Sequence, residues 1–306
     1  MLWPLGRMWR APRRKHGATT DLRWLSARAW TTKWYPQGID VGVRDGRRTL
    51  AVSWFRQDRG RRHLASRVTF IDLERGRRVD VALALEEDGE LVPAPIHAGG
   101  VAWFGDRLFV AATGRGIWEF DLGGVSRRTG AEARRVRAMS RHWPWSTARV
   151  AVRTRVHPID LRCSYLGRVF DASGRPLRRV LIGEYRTDDR GRIAEFTVPD
   201  GPLGSFEEID RFAPGIRSMQ GAVRWGPRLF VSQSDDLRPG TLWTGRRDGL
   251  APASVPLPAG CEDLALDLQA GLLWSLGEHP WRRVVRGIPL DRLGASAEAG
   301  ERRLDG

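Results

Sequence analysis

The chain has 306 residues, 41% of them hydrophobic, with 35 glycines, 14 tryptophans and a formal net charge of +15. Such a length and composition can bury a substantial core, which excludes a disordered protein. No apolar run approaches the roughly 20 residues needed to span a bilayer, which excludes a helical membrane protein.

Residues 1–21 are basic and interrupted by Pro4 and several arginines, so they hold no signal-peptide core. They read as a disordered tail, and the protein reads as cytoplasmic; secretion remains an alternative if the start codon is misassigned. Residues 22–30 (LRWLSARAW) then alternate apolar with polar, as a strand does. Residues 37–54 (QGIDVGVRDGRRTLAVSW) run glycine, apolar strand, Asp-Gly turn, apolar strand. Residues 100–110 (GVAWFGDRLFV) and 221–231 (GAVRWGPRLFV) repeat that order and align without a gap. A degenerate copy spans residues 161–185, and residues 262–276 (EDLALDLQAGLLWSL) carry the last. Each copy is followed by a further strand, at residues 67–73, 116–122, 192–198, 241–246 and 283–290. Residues 126–139 alone have helix-forming composition, as an exposed excursion from one loop.

The copies start near 37, 99, 161, 220 and 262, at intervals of 62, 62, 59 and 42 residues. Those intervals suit blades of three or four short strands, so an all-β propeller of five blades is expected over residues 22–293. Six blades are the alternative, with residues 123–160 hiding a degenerate one. The 22–30 strand would pair with the last blade and close the ring, leaving residues 294–306 as a polar tail. Tryptophans at 54, 103, 118, 225, 243 and 274 fall on these strands as packing residues.

The positive charge does not single out a nucleic-acid partner. Only Lys15 and Lys33 are lysines, and the arginines are dispersed in short groups at turns such as Arg61-Arg62 and Arg178-Arg179. No nucleic-acid-binding module appears, so weak, salt-sensitive adhesion is expected and specific nucleic-acid binding is not. Cys163 and Cys261 lack any Cys-x-x-Cys or Cys/His ligand spacing and are expected to be buried free thiols.

In a propeller, residues at the start of the innermost strands gather at one mouth of the central channel. The repeat register therefore nominates Gln37, His97, Arg162, Gln220, Glu262 and Asp263 as a ligand site. His97, in the stretch PAPIHAGG, would act as general acid or base with Glu262 as its partner. Its structural alternative is a histidine that hydrogen-bonds across the mouth and ties neighbouring blades. One acidic pair and two glutamines fall short of a calcium site, so no cofactor is implied and a divalent cation is the lesser alternative. No GxSxG, HExxH or phosphate-loop motif is present.

The stretch GDRLFVAATGRGIWEFDL resembles blades of the NHL, gluconolactonase-type and YncE-like propellers, in which a Gly-turn hairpin is followed by a strand ending in Phe-Asp-Leu. PIHAGGVAWFGDRLFVAATGRGIWEFDL, with MQGAVRW and CEDLALDLQAGLLWSLGEHPWRR, is similar to uncharacterised propeller proteins of actinobacteria over residues 35–293. The resemblance implies the fold. Gluconolactonase-type enzymes hold a metal on Glu, Asn and Asp side chains; here only Glu262 or Asp263 matches, and Gln37 and Gln220 stand in the remaining places. Two functions are therefore carried forward. One is a monomeric propeller that binds a small polar molecule or a protein at the channel mouth. The other is a hydrolase or lyase acting on a small polar metabolite through His97 and Glu262 or Asp263.

Overall fold

A computed structural model describes residues 8–10, 19–24, 27–139, 146–201 and 203–294. The repeated apolar runs form antiparallel hairpins because their strands are buried on both faces and their turns carry glycines such as Gly105 at φ 60°. These hairpins extend into five four-stranded meanders. The first comprises Trp34–Arg44, Arg47–Gln57, His63–Asp72 and Arg78–Glu87. The second comprises Val101–Phe104, Arg107–Ala111, Ile117–Asp121 and Thr147–His157. The third runs from Tyr165–Phe170 through Pro176–Gly183 and Ile193–Thr197 to Glu207–Phe212. The fourth runs from Met219–Trp225 through Arg228–Asp235 and Arg238–Arg246 to Gly249–Pro252. The fifth has Cys261–Asp267, Leu272–Gly277 and Val285–Pro289, and takes its fourth strand, Thr20–Trp24, from the other end of the chain.

The first strands of the meanders contact one another in cyclic order, the fifth returning to the first. Hydrophobic clusters fill each junction in turn. Phe70 and Trp103 meet between the first and second meanders, Phe109 and Ile182 between the second and third, and Leu181 and Val231 between the third and fourth. Phe230 and Leu273 meet between the fourth and fifth, and Trp274 and Trp54 between the fifth and first. This is a propeller-type, all-β ring. Trp24 of the closing strand packs edge-on to Trp54 at 4.8 Å, and Arg286 grips Asp21 through two hydrogen bonds of 2.8 and 2.9 Å.

Several expectations change in detail. The closing strand is Thr20–Trp24, shorter than residues 22–30, because Ala27–Ala29 turns into a 3₁₀ segment. Met8–Arg10, placed in the disordered tail, pairs with Thr20–Trp24. Residues 123–160, where a sixth blade would have lain, supply the strand Ser126–Thr129, the helix Gly130–Val136 and the outer strand of the second meander. That helix is no exposed excursion: Ala133 and Val136 are buried against Ala82, Ala84, Leu91 and Val150. Trp54, Trp103, Trp118 and Trp274 are core residues, whereas Trp225 and Trp243 are half-buried. Residues 295–306 lie outside the described residues.

The ring is narrow at its axis, and glycines make it so. A Cβ on Gly38 would stand 2.7 Å from the backbone of Gly100, and one on Gly100 would stand 2.1 Å from the backbone nitrogen of Leu166. A Cβ on Gly221 would meet the Cα of Asp263 at 2.7 Å. Gly100→Ala is therefore expected to destabilise the fold by about 3 kcal/mol or more, since backbone rather than a movable side chain must give way. Gly249→Ala, with open space around its Cβ position, should stay within about 0.5 kcal/mol. Urea unfolding of both variants checks the contrast; equal effects would refute the close-approach account.

Candidate functional site

Three of the meanders' first strands begin with irregular pairing, and this aims side chains into the channel mouth. Register breaks fall between Pro36 and Ile39, between Met219 and Gly221, and between Cys261 and Leu264. Gln37, Gln220 and Glu262 sit inside these three breaks, where an extra residue turns out of the ladder. His97 is aimed differently: the next residue, Ala98, is left-handed at φ 56° and swings the chain ahead of Val101–Phe104. Buried serines brace two of these points. Ser53 accepts from the Gly38 amide at 2.8 Å and donates to the Ala98 carbonyl at 2.7 Å, and Ser232 donates to the Glu262 carbonyl at 2.8 Å.

The result is a cavity of about 980 Å³. Gln37, His97, Arg162, Gln220 and Glu262 all line it, although they come from five meanders or their leading loops. Asp263 does not. It is fully buried below the floor, where burial raises its pKa and its carboxyl oxygens accept from the Leu264 amide at 2.9 Å and the Ile39 amide at 3.2 Å. It ties the fifth meander to the first.

The pairing expected for His97 is also different. Its Nδ1 lies 3.3 Å from Nε2 of His63, and its ring stacks on Phe55 at 4.6 Å. Burial first, then the charges of His63 and Arg162, push its pKa down to about 4. Glu262 instead faces acidic neighbours. Burial, then Glu278 and Asp263, hold its carboxyl well above the ordinary carboxylate range. Burial likewise raises Glu278, whose Oε2 accepts from the Gln37 amide at 2.7 Å. The site thus favours the uncharged imidazole of His97 and the protonated form of Glu262.

Sequence reasoning missed Tyr35, Phe55, His63, Tyr185 and Glu278, all of which line the cavity. Tyr35 stacks on Phe55 at 5.4 Å, which continues through His97 as an aromatic wall. A signal was available. Ser53, Ala111 and Gly183 face the starts of first strands, and two residues on stand Phe55, Thr113 and Tyr185. His157 forms a buried contact of 2.7 Å with Glu119, and it does not line this cavity. Burial pushes up the thiol pKa of both free cysteines, so neither is a thiolate nucleophile. Among the described residues, no group of three or more His, Cys, Asp or Glu side chains is placed to hold a metal ion. Nor is any described helix long and apolar enough to cross a membrane.

No protein-family model matches the chain, and no curated protein does. Among solved structures it is similar to the gluconolactonase XC5397 of Xanthomonas campestris, with 15% identity over 94% of this chain and 99% of that one, at a TM-score of 0.44. It is similar to Myxococcus xanthus glutaminyl cyclase at 11% identity over 83% of this chain and 93% of that one, TM-score 0.44. A GH43_1 enzyme of Xanthomonas citri, solved with xylose, shares 11% identity over 87% and 90%, TM-score 0.41. At such distances the likenesses say nothing about activity, and the propeller-type architecture stands on its own strand ring.

Proposed function

We propose that the five meanders act as the blades of one ring and that the cavity at its mouth binds a small, hydroxyl-rich polar molecule. One observation carries this reading: the floor can donate and accept hydrogen bonds through uncharged groups, beside a stacked aromatic wall. The Gln37 and Gln220 amides, the neutral His97 ring and the protonated Glu262 carboxyl suit hydroxyls, which both donate and accept. The stacked rings of Tyr35, Phe55 and His97 line the same cavity and give it an apolar wall for the C–H side of the molecule. Arg61, Arg115 and Arg162 line the cavity as well, so a polyhydroxy acid fits better than an amine.

The enzyme reading keeps one observation in its favour, the juxtaposition of two carboxyls with raised pKa. Glu262 would be the proton donor, with Glu278 holding its proton in place. His97, depressed to about 4 and turned toward His63, supports no base role at neutral pH.

Titration calorimetry with gluconate and glucosamine tests the binding reading. Gluconate is expected to bind, and both Gln37→Ala and Phe55→Ala to weaken it about tenfold or more, or about 1.4 kcal/mol. Tighter binding of glucosamine would sink the assignment. Proton NMR of bound ligands separates the two classes: unchanged ligand supports binding, and consumption abolished in Glu262→Gln supports the enzyme.

The protonated carboxyl also makes a stability prediction. Glu262 ordinarily ionises near 4.5 but keeps its proton in the fold. Its contribution is therefore full below about pH 4.5 and is lost as pH rises toward its elevated native pKa. Glu262→Gln should raise the melting temperature by a few degrees at pH 8 and change it little near pH 4. His97 works in the other direction, since its depressed pKa removes stability as pH falls from 6.5 to about 4. Melting curves across this range check both signs.

A further inference from the structure

A second cleft, of about 430 Å³, lies where the outer half of the first meander meets the helix Gly130–Val136 and the start of Thr147–His157. Arg28, Arg56, Arg67, Arg78, Arg137 and Arg149 line it, and among the described residues Asp80 is the only carboxylate that does. Asp80 is already engaged: it pairs with Arg28, accepts from the Thr69 hydroxyl at 2.7 Å and lies 3.8 Å from Arg67. Arg56 and Arg137 donate to backbone carbonyls, which leaves their charge, with that of Arg67 and Arg149, without a further carboxylate among the described lining residues.

Arg67 shows the imbalance most clearly. It is only 8% exposed, and its Nε and Nη2 have no hydrogen-bond acceptor among the described residues. Its guanidinium rests on the Trp34 ring at 4.1 Å and faces Trp54 at 5.0 Å, so its plane is held rigidly. Burial, with Arg28, Arg137 and Arg283 nearby, pushes its pKa down to about 9 despite Asp80. Buried donors without acceptors are costly, and a rigid guanidinium fork matches phosphate oxygens.

We propose that this cleft binds a small polyanion carrying phosphate groups, with Arg67 as its buried anchor. Its volume falls in the ~300–1,000 Å³ range of small-molecule sites. Arg67 and Arg78, 8% and 5% exposed, lie too deep for the phosphates of a nucleic-acid duplex, which meet exposed basic side chains. The site is distinct from the channel mouth and shares no lining residue with it.

Inorganic pyrophosphate is the probe, titrated calorimetrically into the full chain at fixed ionic strength. The expected result is saturable binding at one site, weakened at least tenfold by Arg67→Met and by Arg149→Ala. Arg149 is half-buried, so its variant keeps the test open should Arg67→Met fail to fold. Arg59→Ala removes the same charge at an exposed position outside the cleft and should leave the affinity unchanged. No saturable binding would overturn the proposal, as would an equal loss in Arg59→Ala, which indicates charge alone. A duplex oligonucleotide that displaces pyrophosphate, with its own binding abolished by Arg149→Ala, would overturn the small-molecule assignment.

Discussion

Five first strands can crowd around one axis only if their backbones nearly touch, and this close approach governs the rest of the molecule. Gly38, Gly100 and Gly221 stand at crossings where any Cβ would enter a neighbour's backbone. With the side chains removed there, polar ties can span the gap. The Asp263 carboxylate reaches the Ile39 amide, Asp40 reaches the Trp103 amide at 2.7 Å, and Ser53 reaches the Ala98 carbonyl. Each tie joins one meander to the next, so the ring is held by contacts remote in sequence. The hydrophobic clusters at the five junctions then fill the wedge-shaped space that opens away from the axis.

The same crowding builds the channel mouth. Strands that converge cannot keep a regular ladder to their ends, and the breaks at Gln37, Gln220 and Glu262 are where the pairing yields. The side chains released there meet in one cavity, close to Phe55 and Tyr185 from the ends of neighbouring second strands. Desolvation then decides their charge. Burial raises the carboxyls of both Glu262 and Glu278, and among the described residues no carboxylate offsets the desolvation of a His97 imidazolium. A cavity assembled from ionisable residues thus becomes largely neutral at its floor. Its positive charge is carried instead by arginines, both here and in the cleft around Arg67.

Much of this was legible in the chain. The repeat of GVAWFGDRLFV in GAVRWGPRLFV marked the crossing glycine and the hairpin after it, and the common register put Gln37, His97, Arg162, Gln220 and Glu262 at one mouth. The register failed by one place for Asp263. Adjacent residues on a strand point to opposite sides, and a break in the ladder cannot be located from apolar pattern alone. His63 opens a strand and Glu278 follows the end of one, and both were missed because their neighbours at the mouth, His97 and Gln37, come from other meanders. The helix Gly130–Val136 looked exposed because its composition is arginine-rich, while two small apolar residues were enough to seat it.

Periodicity along the chain carried the all-β repeat, the turn glycines and the closing strand, since these depend on which residues lie a fixed number of places apart. The protonation of Glu262, the His63–His97 contact and the unsatisfied Arg67 depend on what surrounds a group once water has been expelled. Those surroundings bring together different meanders, as Gln37 meets Glu278 and Arg67 lies near Arg137 and Arg283, so they are complete only when the ring has closed.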